Sequence, residues 1–165
     1  MRYVQHLQTT YTCGYMESIR VRPYSSADYP SICELDAPLF AGMGGPVLFR
    51  HIEELFPSLF FVAENAEKDI IGYILGGIHL DDPKTGKLIR IGVVQNYQRK
   101  ECGTKLTEAL FSAMKERNVT AVHLTVAETN KPAIAFYQKI GFIQKERIQN
   151  YFYPNIPRLV LWKTL

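Results

Sequence analysis

The stretch Val93-Val94-Gln95-Asn96-Tyr97-Gln98-Arg99-Lys100-Glu101-Cys102-Gly103-Thr104-Lys105-Leu106 decides the fold. The apolar run Leu88 to Val94 has the length of a strand and gives way to a short polar loop. The loop opens into an amphipathic helix with Leu106, Leu110, Ala113 and Met114 on one face. A helix start carries N–H groups with no intrahelical acceptor, at the positive end of the dipole. Gly103 lets a ligand approach the backbone, and Arg99 and Lys100 add positive charge. Together these features make a phosphate-binding arrangement. The glycines of the dinucleotide pattern and the Gly-Lys-Ser/Thr ending of the P-loop are missing. Taken alone, an ordinary strand-to-helix loop with solvated Arg99 and Lys100 fits the same pattern.

A second stretch sharpens the reading: Leu124-Thr125-Val126-Ala127-Glu128-Thr129-Asn130-Lys131-Pro132-Ala133-Ile134-Ala135-Phe136-Tyr137-Gln138-Lys139-Ile140-Gly141-Phe142. In order and spacing the two segments resemble the GNAT superfamily of acetyl-coenzyme A-dependent N-acetyltransferases. The first family motif, Gln/Arg-x-x-Gly-x-Gly/Ala, meets Gln98 to Gly103 with one departure, Glu101 for glycine. The second is met by Val126, Asn130, Ala133, Phe136, Tyr137, Gly141 and Phe142. The resemblance runs over 18–165. It implies one mixed α/β domain, with a central, mostly antiparallel sheet and helices on both faces. Residues 1–17 carry no clear period and read as an N-terminal extension.

The resemblance also implies a site. Acetyl-coenzyme A would lay its pyrophosphate on the backbone N–H groups of Arg99, Lys100, Glu101, Cys102, Gly103 and Thr104, with Gln98 opening the loop. Ile91, Gly92 and Val93 would hydrogen-bond the pantetheine arm and thioester through their backbone. Asn130 would touch that arm or cap its helix. Tyr137 would assist the leaving thiolate, although it also belongs to an apolar helical stripe. Glu101 points to solvent or pairs with Lys105 four residues on. A relative that acetylates protein N-termini keeps a catalytic glutamate where this chain has Thr125. His123, two residues earlier on the same strand face, is then the candidate base. Activity is expected to rise with pH through a histidine-like pKa near 6.5. His79 and Glu128 are lesser candidates. Tyr151 and Tyr153 stand in the loop that covers the peptide in N-terminal acetyltransferases; an aromatic plug on the sheet end reads equally well.

Composition agrees with one soluble domain. The chain has 165 residues, of which 47% are hydrophobic and 21% charged. A net charge of +3 suits an anionic co-substrate and gives no footprint for nucleic acid. Cys13, Cys33 and Cys102 have no CxxC spacing, which argues for a reducing, cytoplasmic setting and against a metal site. No run has the length and apolarity of a membrane span. The expected partner is an amine, from a small molecule or a peptide α-amine, and a homodimer is compatible. The competing reading is an acyl-coenzyme A-binding regulatory module without turnover.

Overall fold

A computed structural model describes residues 18–165; the expected extension, 1–17, lies outside the described residues. The elements run β1 (Arg20–Pro23), α1 (Tyr29–Leu39), α2 (Gly45–Leu55), β2 (Phe60–Glu64), β3 (Ile70–Ile78), β4 (Thr85–Val93), α3 (Cys102–Lys115), β5 (Ala121–Ala127), α4 (Lys131–Lys139), β6 (Ile143–Ile148) and β7 (Arg158–Thr164). The seven strands form one sheet in the order β1-β2-β3-β4-β5-β7-β6. Among the described residues, only β4 and β5 pair in parallel.

Both faces of the sheet are covered. Leu106, Leu110 and Met114 of α3, with Tyr137 of α4, close one core against Ile74, Leu88 and Leu124. Ile32 of α1 and Phe49 and Ile52 of α2 close the other against Phe60, Tyr73 and Leu75. β3 is central and so apolar in both directions. Where α3 presses closest, the strand has no side chain: a Cβ on Gly76 would lie 2.8 Å from Met114 Cε. The helix starts and stops follow local chemistry. Pro30 sits in the first turn of α1. Asn118 (φ 60°) and Gly141 (φ 94°) take the left-handed positions after α3 and α4.

Two irregularities build the site. The pairing of β3 with β4 slips between Leu75↔Arg90 and Gly76↔Leu88, so Ile89 is one residue in excess. The bulge turns both Ile89 and Arg90 toward α1, where Ile89 joins the second core and Arg90 meets Asp36. The second irregularity is a split. β4 and β5 pair only at Thr85↔Ala121, Gly86↔Val122 and Lys87↔His123. Beyond that seam the facing backbone edges of residues 88–93 and 124–127 have no ladder partner in each other. Among the described residues, no helix is long and apolar enough to cross a membrane.

Candidate active site

The loop after β4 is shaped to expose N–H groups. Arg99 (φ 63°) and Glu101 (φ 65°) both adopt the left-handed conformation, so Glu101 stands where glycine would be unstrained. Lys105 N–H bonds to Glu101 O at 2.9 Å, which leaves the N–H groups of Cys102, Gly103 and Thr104 without intrahelical acceptors. Glu101 is exposed, and Lys105 turns away from it, its Nζ 3.3 Å from Ile19 O. Gln98 donates from Nε2 to Val93 O at 3.0 Å and ties the loop to the end of β4. Cys102 is fully buried and its thiol is pushed up to about 11 by burial; its backbone is the part of it placed at the helix start.

Gly103 serves packing in a way the sequence did not disclose. A Cβ there would lie 3.2 Å from Phe136 Cζ of α4. The missing side chain lets the start of α3 meet α4, beside the split. Gly92 is similar, since its Cβ would stand 2.6 Å from Tyr73 Cε1. Ile91 and Val93 pack toward α3 and α4. The backbone edge of β4 toward the split remains open to an extended, amide-bearing arm, and so the residues present fit the pantetheine of coenzyme A.

Tyr137 is 8% exposed, packed edge-on against Phe142 and beside Phe136. Burial pushes its phenol up to about 12, and the Arg158 charge opposes that rise. Asn130 spends its side-chain oxygen on the cap of α4, accepting from Ala133 N at 3.2 Å.

The face of β5 away from α3 carries His123 and Thr125, as the strand period requires. His123 is the last paired residue before the split. Its Nε2 lies 2.7 Å from His79 Nε2, and its ring stacks on Trp162 at 4.9 Å between centroids. Burial first, then the Lys87 charge and His79, push its pKa down to about 4. This corrects the sequence expectation of a pKa near 6.5: the ring is neutral at physiological pH, and it is a weak base. Glu128 is committed to Arg147, both of whose guanidinium bonds to it are 2.9 Å.

The loop between β6 and β7 closes over this face. Tyr151 is half-buried, its hydroxyl 3.4 Å from Lys87 Nζ, and packs edge-on against Phe152. Tyr153 is exposed. On the opposite wall, Asp36 accepts from Tyr73 OH and takes two bonds from Arg90 Nη1, at 3.1 and 3.0 Å. Arg90 Nη2 holds Met43 O at 2.8 Å. This bracket fixes the α1–α2 loop. Burial and the Asp36 bond raise the Tyr73 phenol well above its usual value.

Sequence reasoning missed Lys87, Arg158 and the Asp36–Tyr73–Arg90 bracket. Arg158 opens β7 opposite Ala127, and its Nη2 donates to Thr125 O at 3.0 Å. One cue was present: a cation heads the otherwise apolar run Leu159-Val160-Leu161-Trp162. The bracket gave no cue, because it joins three separate elements through a bulge.

Comparison with known proteins agrees with this geometry. The acetyltransferase (GNAT) family profile matches residues 29–142. An N-alpha-acetyltransferase of Sulfurisphaera tokodaii is 34% identical over 113 residues, 62% of this chain and 66% of that protein. The chain thus spans about two thirds of that relative's length. N-alpha-acetyltransferase 30 of Schizosaccharomyces pombe is 25% identical over 136 residues, 81% of this chain and 90% of that protein. Among solved structures, Ard1 from Thermoplasma volcanium superposes with a TM-score of 0.82 at 23% identity, over 89% of this chain and 97% of that one. That likeness speaks to the fold.

Proposed function

Because the chain belongs to the acetyltransferase (GNAT) family, we propose that it acetylates the α-amine of peptide N-termini, by direct attack of the amine on acetyl-coenzyme A. Transfer of acetyl from acetyl-coenzyme A to an amine is the reaction of this chain. The regulatory-module alternative is set aside on the same grounds. The co-substrate supplies an activated thioester; everything else is the work of the chain. Backbone N–H groups from Arg99 to Thr104 hold the pyrophosphate, and the open edge of β4 at Ile91, Gly92 and Val93 holds the arm.

One observation carries the choice of acceptor: the base on offer is weak. His123 has a pKa pushed down to about 4. A lysine amine, with pKa about 10.4, is neutral about once in a thousand near pH 7.4 and needs strong help. A peptide α-amine, with pKa about 7.7–8.0, is already neutral in roughly a quarter of molecules near pH 7.4. A weak base suffices for it, because the proton becomes acidic only as the amine attacks. His123 takes that proton, and the bonded His79, exposed at the end of β3, passes it to solvent. Tyr137, at about 12, is a weaker acid than a thiol near 8.5. It therefore hydrogen-bonds the departing thiolate and keeps its own proton. Thr125, Tyr151 and Tyr153 line the acceptor groove. The free thiols of Cys33 and Cys102 suit a reducing compartment.

Free-thiol release with an acceptor panel tests the reading. A lysine-free peptide with an open α-amine should be turned over. The same peptide, α-blocked and carrying one lysine, should not. Turnover confined to the lysine peptide or to polyamines would overturn the assignment.

A further inference from the structure

We infer that Lys87 and Arg158 form an anion subsite on the acceptor face, which selects acceptors with a carboxylate close to the amine. The inference rests on the peptide reading above and narrows it to N-termini bearing an acidic side chain at the first or second residue.

The argument begins with unmatched charge. Arg22, Arg50, Arg90 and Arg147 each have a carboxylate within ion-pair distance. Arg158 is half-buried, and among the described residues no carboxylate pairs with it. Its guanidinium offers five donors. Nη2 is spent on Thr125 O, and Nε is buried with no partner. An orphaned donor on a desolvated cation costs free energy until an acceptor reaches it. Burial makes this guanidinium easier to deprotonate than a free one, as expected for a cation short of compensation. Phe152 covers it at 5.1 Å, which excludes water without supplying an anion.

Lys87 lies on the same face, at the seam of the split. Among the described residues it too lacks a carboxylate, and its ammonium meets only the Tyr151 hydroxyl at 3.4 Å. Lys87 reaches Tyr151, Tyr151 packs edge-on against Phe152, and Phe152 covers Arg158, so the two cations flank one aromatic pair of the loop that closes over the acceptor. Their field disfavours a polycationic acceptor and attracts a carboxylate. A guanidinium fork beside an ammonium suits a planar oxyanion, and hydrogen bonds between charged partners are about twice as strong as neutral ones. The amine itself must arrive neutral, and nearby cations favour that form.

A peptide series tests this, measured as kcat/KM by thiol release. The peptides differ only by Asp against Asn, or Glu against Gln, at positions one and two; free aspartate and glutamate form a separate arm. The acidic peptide should exceed its amide counterpart by tenfold or more, about 1.4 kcal/mol. In Lys87→Met and in Arg158→Gln that ratio should fall toward one. Lys87→Glu should move the preference toward a lysine at the same position. Arg158 also braces Thr125, so the Lys87 variants carry the test if Arg158→Gln fails to fold. Peptide turnover with a wild-type ratio near one overturns the subsite and leaves the peptide reading standing. Turnover of free amino acids alone, sensitive to Lys87, overturns the peptide reading and keeps the subsite. Turnover of no acceptor in the panel overturns both.

Discussion

The pH dependence of kcat/KM with an α-amine peptide distinguishes a suppressed histidine from an ordinary one. Far below its own pKa of about 7.7–8.0, the amine alone makes the rate climb tenfold per pH unit. An ordinary histidine base would add a second tenfold per unit below about 6.5. At about pH 5 the two cases differ by roughly 30-fold, ten raised to the 1.5 units between 5 and 6.5. His123 sits among Lys87, His79 and Trp162, with its pKa pushed down to about 4. The wild-type slope should therefore stay at one from about pH 7 down to about pH 5. His123→Asn should keep that slope and run about a hundredfold lower, the usual scale of lost proton transfer. Fold integrity has to be followed in the same titration. The folded pKa lies below the unfolded value, so between about 6.5 and 4 the unfolded chain binds the proton and the folded one does not. Stability falls as pH drops through that window and levels off beneath it. Circular dichroism at each pH separates this from the rate. A slope of two setting in near pH 6.5 refutes the electrostatic argument. Equal rates in variant and wild type would leave His123 a packing role only.

Gly103→Val should lower acetyl-coenzyme A affinity more than tenfold by calorimetry, since its side chain would press on Phe136 and displace the start of α3. Glu101→Gly should hold or improve that affinity, and relief of its left-handed φ should hold or raise stability by up to about 1 kcal/mol in urea titrations. Tyr137→Phe removes the hydrogen bond to the departing thiolate and should cut turnover by roughly ten- to a hundredfold, the scale of a hydrogen bond to a charged group, with unchanged cofactor affinity; unchanged turnover at saturation would make Tyr137 a packing residue. Asp36→Ala strands the Arg90 guanidinium and the Tyr73 hydroxyl and should cost about 3–5 kcal/mol of stability.

Much of the architecture was legible because its signals are local. The 3.6 period of α3, Pro30, Asn118 and Gly141 each mark an element or its end without reference to anything distant. The boundaries moved by up to three residues: the strand read as Leu88 to Val94 runs from Thr85 to Val93. The site was less legible. Gly103 was read through a ligand, although its nearest neighbour is Phe136, thirty-three positions on. The His79–His123 contact, the depressed His123 pKa and the Lys87–Tyr151–Arg158 cluster all depend on strand neighbours that are not sequence neighbours. The bulge at Ile89 is invisible to a period-two reading, because its effect is to break that period.

The seam between β4 and β5 has a mechanical consequence. Three residue pairs are all that ladder one half of the sheet to the other; the remaining union comes from helices laid across, from backbone bonds to Lys84 O and from the His79–His123 and Lys87–Tyr151 contacts. A ligand arm filling the split would act as a missing strand, knitting two mechanically separable halves into a single cooperative unit. The alternate amide hydrogens of residues 88–93 and 124–127 that point into the split, rather than toward β3 or β7, should then exchange quickly in the free protein and slow together on loading. At a hundred times its dissociation constant, such a ligand adds about 2.7 kcal/mol to the folded state. That increment would be felt across the seam, where the bare sheet is held by its narrowest tie.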